Sequence, residues 1–334
     1  MLSQCKVLKK LTFSLLLSTL ALAGCGAYVD QRADKQEIRA TQSYPPTGRF
    51  VDVDGTRVHA HIEGRGPDLI LIHGASGNTR DFTFDFVDRV KDRYRVIAFD
   101  RPGLGWTERL GDRQTGPINT RAETPAQQAR LLKAAADQLG VRDPIILGHS
   151  YGGAIALAWA LEFSDHPAAL VPVSAASNPW PGGLGPLYAV NSSRVGGAVV
   201  VPLITAFAPK DRAETAIAAI FAPQSPPQGY ADYIGVGLTL RRETLRANAQ
   251  QVNSLRPHVV DMSKEYPLID IPVEIVHGAK DRIVPLDIHS TPLAQQIPAA
   301  NLTILPDVGH MPHHVAPQAV INAIDRAAAR AGLR

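Results

Sequence analysis

The stretch Gly148-His149-Ser150-Tyr151-Gly152 sets one serine between glycines where the apolar run Ile145 to Leu147 gives way to the helix-like AIALAWALEF. A serine hydroxyl is a weak nucleophile until a base takes its proton, and an imidazole base needs an acid that fixes its tautomer and stabilises its charged form. Two later segments offer these groups. Asp281 follows an apolar run in VEIVHGAKDRIVP, and His310 follows another in LTILPDVGHMPHH. Each residue also has a plainer role open to it: a turn hydroxyl for Ser150, a surface or capping carboxylate for Asp281, a structural imidazole for His310.

These side chains need elements that bring them together. The 334 residues, 45% apolar and 19% charged, suffice for a large core. Asp54-Gly55 between two alternating runs predicts a tight hairpin, and so an antiparallel start to the sheet. Short apolar runs then begin at Leu69, Tyr94, Ile145, Ala169, Val273 and Leu302, many of them separated by helical patterns. One such pattern starts at a Thr124 cap with Pro125 in the first turn and stops at Gly140. Alternation of this kind predicts an α/β fold with a mostly parallel sheet of eight strands flanked by helices. Residues 178–267 break the rhythm with Pro/Gly-rich turns and helical pieces, and read as a helical cap inserted after the sixth strand; 45–177 and 268–334 form the core. Within the cap, Asp211 and Glu214 have the spacing of a capping box, and Val195 to Ala208 is an uncharged run too short to cross a bilayer. That run is expected to pack on the core and roof a pocket, with membrane contact as the sharper alternative.

The N-terminus has another character. Lys6, Lys9 and Lys10 precede an uncharged apolar run from Leu11 to Ala23, the layout of a secretion signal. Its end, Leu22-Ala23-Gly24-Cys25, resembles the lipobox of bacterial lipoproteins, which implies lipidation of Cys25, removal of residues 1–24 and a place in the cell envelope facing the periplasm. Gly26, where an aspartate would signal inner-membrane retention, points by analogy to the outer membrane. Residues 25–44 are then the lipidated cysteine and a flexible tether, and loss of Cys5 leaves Cys25 without a disulfide partner. Residues 1–24 hold three lysines and no acid, so the remainder balances 31 basic against 31 acidic residues. Without a basic tract there is no electrostatic footprint for nucleic acid.

Four motifs together, HGASGN at His73, DRPGLGW at Asp100, GHSYGG at Gly148, and GAKDRIVP with GHMPHH, resemble the α/β-hydrolase superfamily from about Phe50 to the C-terminus. The order Ser150, Asp281, His310 is the one that superfamily uses. The resemblance implies an α/β-hydrolase fold, those three residues as catalytic triad, and an oxyanion hole from the backbone N–H groups of Ala75 and Tyr151. It also implies that His73 and His149 shape the oxyanion loop and the elbow, and that Asp100 and Arg101 hold a turn. His313 and His314 read as residues at a helix start; no metal or cofactor is expected. The implied activity is hydrolysis of a carboxylic ester, or a related acyl bond, in a small-molecule substrate. Cofactor-free haloperoxidase or perhydrolase, C–C hydrolase and aminopeptidase chemistry use the same triad, whereas the epoxide hydrolases and haloalkane dehalogenases place an aspartate where Ser150 stands. A catalytically silent binding protein is the non-enzyme alternative. Oligomeric state is not legible.

Overall fold

The computed structural model describes residues 2–111 and 115–334, and of residues 2–22 and Lys210 the backbone alone. Its strands are β1 (Arg49–Val53), β2 (Thr56–Gly64), β3 (Asp68–Ile72), β4 (Arg95–Phe99), β5 (Ile145–His149), β6 (Ala169–Val173), β7 (Val273–Gly278) and β8 (Ala300–Leu305). They form one eight-stranded sheet in the order β1-β2-β4-β3-β5-β6-β7-β8. Only the pairs β1–β2 and β2–β4 are antiparallel; the rest of the sheet is parallel. The hairpin falls at Asp54 and Gly55, both with positive φ, as a two-residue turn requires.

The helices are α1 (Leu2–Ser43), α2 (Arg80–Thr83), α3 (Phe86–Val90), α4 (Pro125–Gln138), α5 (Tyr151–Glu162), α6 (Pro186–Ser192), α7 (Val201–Phe207), α8 (Lys210–Phe221), α9 (Tyr230–Tyr233), α10 (Val236–Thr239), α11 (Arg242–Glu265), α12 (Ser290–Gln296), α13 (Pro312–Val315) and α14 (Pro317–Arg330). Alternation along the strands sorts the core into two layers. Ile70 and Ile72 of β3 pack with residues of α4, α5 and α11, whereas Leu69 and Leu71 pack with α3 and α14. Each such fully buried side chain contributes about 1.5–3 kcal/mol over its exposed state. Helix α4 begins as its sequence predicts: Thr124 Oγ1 accepts from the Gln127 amide at 3.1 Å, and the Gln127 side chain answers at the Thr124 amide.

Helices α6 to α11 lie between β6 and β7 and form the insertion. Three features, two of them in this insertion, differ from expectation. The capping box at Asp211 is absent, because α8 starts two residues earlier, with Pro209 at its cap and Asp211 inside the first turn. Helix α11 belongs to both parts of the molecule: Val252, Leu255 and Val259 sit in the core layer with the sheet, while its first turns face the cap.

The third difference is residues 26–43, expected as a flexible coil, which are helical within α1. Their docking relies on charge and small size rather than on an apolar stripe. Arg242 at the start of α11 bonds Asp30, Asp34 and Glu37, which recur along one face of α1, and its backbone N–H donates to Glu37 Oε1 at 2.7 Å. Ala33 and Ala40, seven residues apart, are buried beneath. Alanines and acids at that spacing leave too little apolar signal for a periodicity reading. Removing the hub is expected to loosen this segment. In Arg242→Ala, limited trypsin digestion followed by mass spectrometry should show cleavage after Arg32, Lys35 and Arg39 at least tenfold faster than in the parent protein.

Candidate active site

The register of the sheet places the motifs. Ile72 of β3 is paired with Gly148 of β5, so the loop His73-Gly74-Ala75 leaves the sheet beside the turn that carries Ser150. A Cβ on Gly74 would lie 3.1 Å from the Ser150 Cβ. Ser150 itself has φ 53° and ψ −117° and opens α5 without capping it through its side chain. A left-handed serine is strained by about 1–3 kcal/mol and persists only where its surroundings fix it. Here a Cβ on Gly148 would collide with the Gly152 carbonyl, and one on Gly152 with the Ile72 carbonyl. The two glycines let strand, turn and helix approach this closely. Tyr151 is the first residue of α5, where a helix leaves its N–H groups without helical acceptors.

Asp281 follows β7 and His310 follows β8, and the structure brings them together: His310 Nδ1 lies 2.7 Å from Asp281 Oδ2. A carboxylate can only accept, so Nδ1 carries the proton and Nε2 is left as the basic nitrogen. Asp281 Oδ1 accepts from the Ile283 and Val284 amides, both at 2.9 Å. Burial would raise the Asp281 pKa, yet bonds from His277, His310 and the Val284 amide hold it well below the usual carboxylate range. His149, next to Ser150 in the chain, links the elbow to this pair. Its Nε2–H donates to the His310 carbonyl at 2.8 Å, and the two rings lie 4.8 Å apart. Ser150, Asp281 and His310 are all buried.

A cage of polar groups holds the loop beside Ser150. The Arg101 amide donates to His73 Nε2 at 3.0 Å, which leaves the His73 Nδ1–H to donate to the Gly74 carbonyl at 2.9 Å. Arg101 Nη1 reaches that same carbonyl at 3.0 Å, and its guanidinium lies 3.8 Å over the Tyr151 ring. Asn248 of α11 accepts from the Ser76 amide at 2.7 Å, and Gln251 accepts from Arg101 Nη2 at 2.6 Å. Asp100 accepts from the Thr79 and Trp106 amides and from His59, so it ties the turn to two neighbouring segments.

A family model described as the Alpha/beta hydrolase family matches residues 69–323. The chain belongs to this family. Among curated relatives, it is 29% identical over 290 residues to the dihydrolipoyllysine-residue acetyltransferase component of the acetoin cleaving system of Cupriavidus necator, covering 85% of this chain and 69% of that one. It is 28% identical over 289 residues to 2-hydroxymuconate semialdehyde hydrolase of Pseudomonas putida, covering 82% of this chain and 91% of that one. Among solved structures, an esterase from Exiguobacterium antarcticum superposes with a TM-score of 0.68 at 18% identity, over 84% of this chain and 99% of that one, a likeness of fold.

Within the α/β-hydrolase frame, sequence reasoning missed Asp81, Asn248 and Gln251. Asp81 is buried and accepts from Tyr230 at 2.7 Å, His314 at 2.8 Å and His313 at 3.2 Å. It thereby fastens the cap and the segment after His310 to α2, the short helix after β3. Asp81, His149 and His313 each offer a ligand atom within 4.8 Å of the others, a grouping the spacing along the chain did not show. The bonds from His313 and His314 keep the Asp81 carboxylate well below its usual range in spite of burial. No local signal marks Asp81, because its partners lie about 150 and 230 residues away.

Three buried histidines around the site, His73, His289 and His313, are held neutral. Burial first, then Arg101, lowers His73 to about 4; burial and His314 lower His313 to about 4; burial and His277 lower His289 to about 4. An unfolded histidine takes its proton near 6.5, so between pH 6.5 and 4 the unfolded chain binds more protons than the folded one. Stability from these groups is therefore full above about pH 6.5 and falls by up to about 1.4 kcal/mol per pH unit for each of them as pH drops toward 4. Asp81 and Asp281, whose pKa values are depressed, oppose unfolding until the ordinary carboxylate range is reached. Calorimetry should show Tm falling by several degrees between pH 7 and pH 5. A flat Tm over that range would mean that these imidazoles accept protons in the fold.

Proposed function

We propose that the chain is a serine hydrolase that cleaves a carboxylic ester through an acyl-enzyme, and that lipid on Cys25 anchors it in the bacterial envelope facing the periplasm, at the outer membrane. The observation that carries the catalytic reading is the 2.7 Å contact between His310 Nδ1 and Asp281 Oδ2 beside the strained Ser150 turn. Ser150 Oγ attacks the acyl carbon as His310 Nε2 takes its proton. Asp281 stays ionised and holds the imidazolium. The amides of Ala75 and Tyr151 receive the oxyanion, an arrangement whose individual donors in other enzymes are worth about 3–4 kcal/mol. Collapse breaks the ester C–O bond, and the alcohol leaves with the proton from His310. Water then attacks the acyl-enzyme, gives its proton to His310, and releases the acid and Ser150. All atoms come from substrate, water and these side chains.

Arg101 serves this chemistry at one remove. By bonding the Gly74 carbonyl it fixes the peptide plane that precedes Ala75, and so the direction of the Ala75 N–H. A second reading, hydrolysis of a C–C bond next to a carbonyl, is favoured by the likeness to the Pseudomonas putida semialdehyde hydrolase along 82% of the chain. It uses the same three residues with a carbon leaving group. The anchor reading is supported by Lys6, Lys9 and Lys10, the apolar run that follows them, and Leu22-Ala23-Gly24-Cys25.

Ser150→Ala and His310→Ala should each lower kcat by several orders of magnitude, with the double variant little worse, because such groups act as a unit. A fluorophosphonate probe should label the parent protein at Ser150 and leave Ser150→Ala unlabelled; absence of any adduct on folded protein would favour a silent binding module. Asp281→Asn should keep the fold and lose on the order of 10⁴ in kcat. Rates on p-nitrophenyl esters of increasing acyl length, beside a vinylogous C–C substrate, separate the two readings.

A further inference from the structure

The cap carries an apolar face that its own packing leaves uncovered. A π-helical turn over Gly196–Val200 runs directly into α7, and Val195, Val199, Leu203 and Phe207 recur at four-residue spacing on that continuous helix. They are 73%, 53%, 42% and 44% exposed. Leu187 and Val190 of α6 add a second exposed limb, bent 90° from the first. The opposite side of the helix is buried through Gly196, Gly197, Val201 and Thr205, so the segment is seated as a cap element and still turns its larger side chains outward.

The orientation is enforced. Arg246, buried in α11, donates through Nη1 to the carbonyls of Asn191 and Ser193, both at 2.8 Å, which pins the corner between the two limbs. Thr205 Oγ1 donates to the Leu240 carbonyl at 2.7 Å. No charged residue interrupts Val195 to Ala208, and among the described residues no single helix is long and apolar enough to cross a membrane. A face of this kind, wide but short, suits the interfacial layer of a bilayer rather than its interior.

What covers it is indicated by α1. The Tyr28 ring lies 6.3 Å from that of Phe207, Arg32 Nε donates to the Ala206 carbonyl at 2.8 Å, and the Arg32 guanidinium sits 4.9 Å from the Phe207 ring. Cys25 is three residues before Tyr28, about 4.5 Å along the helix axis. Helix α1 thus brings the anchoring residue to the edge of the exposed row. Arg194 and Arg32, both exposed, flank the row with positive charge suited to lipid phosphates.

We infer that Val195, Val199, Leu203 and Phe207, with Leu187 and Val190 beside them, form a lipid-docking face that lays the cap on the same bilayer that holds the Cys25 lipid. The inference rests on the anchor reading of Cys25. It makes the ester substrate an amphiphile drawn from that bilayer, and it makes α1 a strut that sets the angle of approach.

The test uses the full chain purified from membranes and reconstituted in phosphatidylethanolamine–phosphatidylglycerol vesicles. In Val199→Cys, an environment-sensitive thiol dye should shift to the blue and be quenched by spin-labelled lipid, at least several-fold more than in Gln318→Cys, at an exposed position of α14. Equal responses at the two positions overturn the docking face. Dye uptake by Cys25 in the parent chain would instead overturn the anchor, while the contrast between positions 199 and 318 still judges the face. A dye shift that precedes vesicle addition, together with a doubled mass, would assign the face to a second copy of the chain and overturn the lipid. In a separate measurement, the double variant Val199→Asp with Leu203→Asp should lower the ratio of the rate on a vesicle-embedded long-chain ester to that on a soluble short ester at least tenfold. An unchanged ratio overturns the inference.

Discussion

A serine held at φ 53° is the constraint on which the rest of this molecule depends. Such a backbone does not keep its shape unaided, and the surroundings of Ser150 account for both of its backbone polar groups. Its amide donates to the Val173 carbonyl at 3.0 Å, and its carbonyl accepts from Gly153 at 3.0 Å and Ala176 at 3.1 Å. The turn is therefore built from the exits of two neighbouring strands as much as from its own five residues. Glycine on both sides, β3 on one edge and β6 on the other are requirements of that one conformation.

Around the turn the protein has concentrated polar groups where a core would ordinarily be apolar. Asp100, Arg101, Gln128 and Gln251 are fully buried, as are Glu123 and, nearly so, Arg109, whose Nε lies 2.9 Å from Glu123 Oε1. A buried ion pair of this sort is weak evidence for stability, because desolvation consumes most of its attraction. Its value here is geometric. Glu123 also accepts from Gln251 at 2.9 Å, and Gln251 donates to the Pro102 carbonyl at 2.8 Å, so loops leaving different strands are locked in one register. Neutral imidazoles at His73, His149 and His313 complete this arrangement without adding charge that the interior could not support.

Much of this was legible in the sequence, and the reasons for the exceptions are physical. Strands β3 to β7 announced themselves because buried parallel strands are short, uninterrupted apolar runs, the half-exposed edge strand β8 still carried Leu302, Ile304 and Leu305, and Thr124 with Pro125 marked the start of α4 through chemistry confined to four residues. Asp281 and His310 could be singled out because each closes such a run. Asp81 could not, since what makes it special is three donors contributed by the cap and the segment after β8. The inner face of α11 carried no signal of its place either: Asn248, Gln250 and Gln251 have the polarity of a solvated surface and are instead buried against polar loops. The helical character of residues 26–43 was hidden because their partner, Arg242, lies some two hundred residues away and binds by charge.

The double allegiance of α11 bears on how such a protein diversifies. An insertion between two strands can change length at little entropic cost, since loop closure grows only slowly with chain length. The segment from β6 to the end of α10 could therefore be exchanged for another lid by recombination without disturbing the sheet. Helix α11 is different, for it carries Asn248 and Gln251 into the loops beside Ser150 and Val252, Leu255 and Val259 into the core. The natural seam for grafting a foreign lid runs just before Arg242, and a chimera joined at the far end of that helix would inherit a new roof at the expense of the scaffold beneath it.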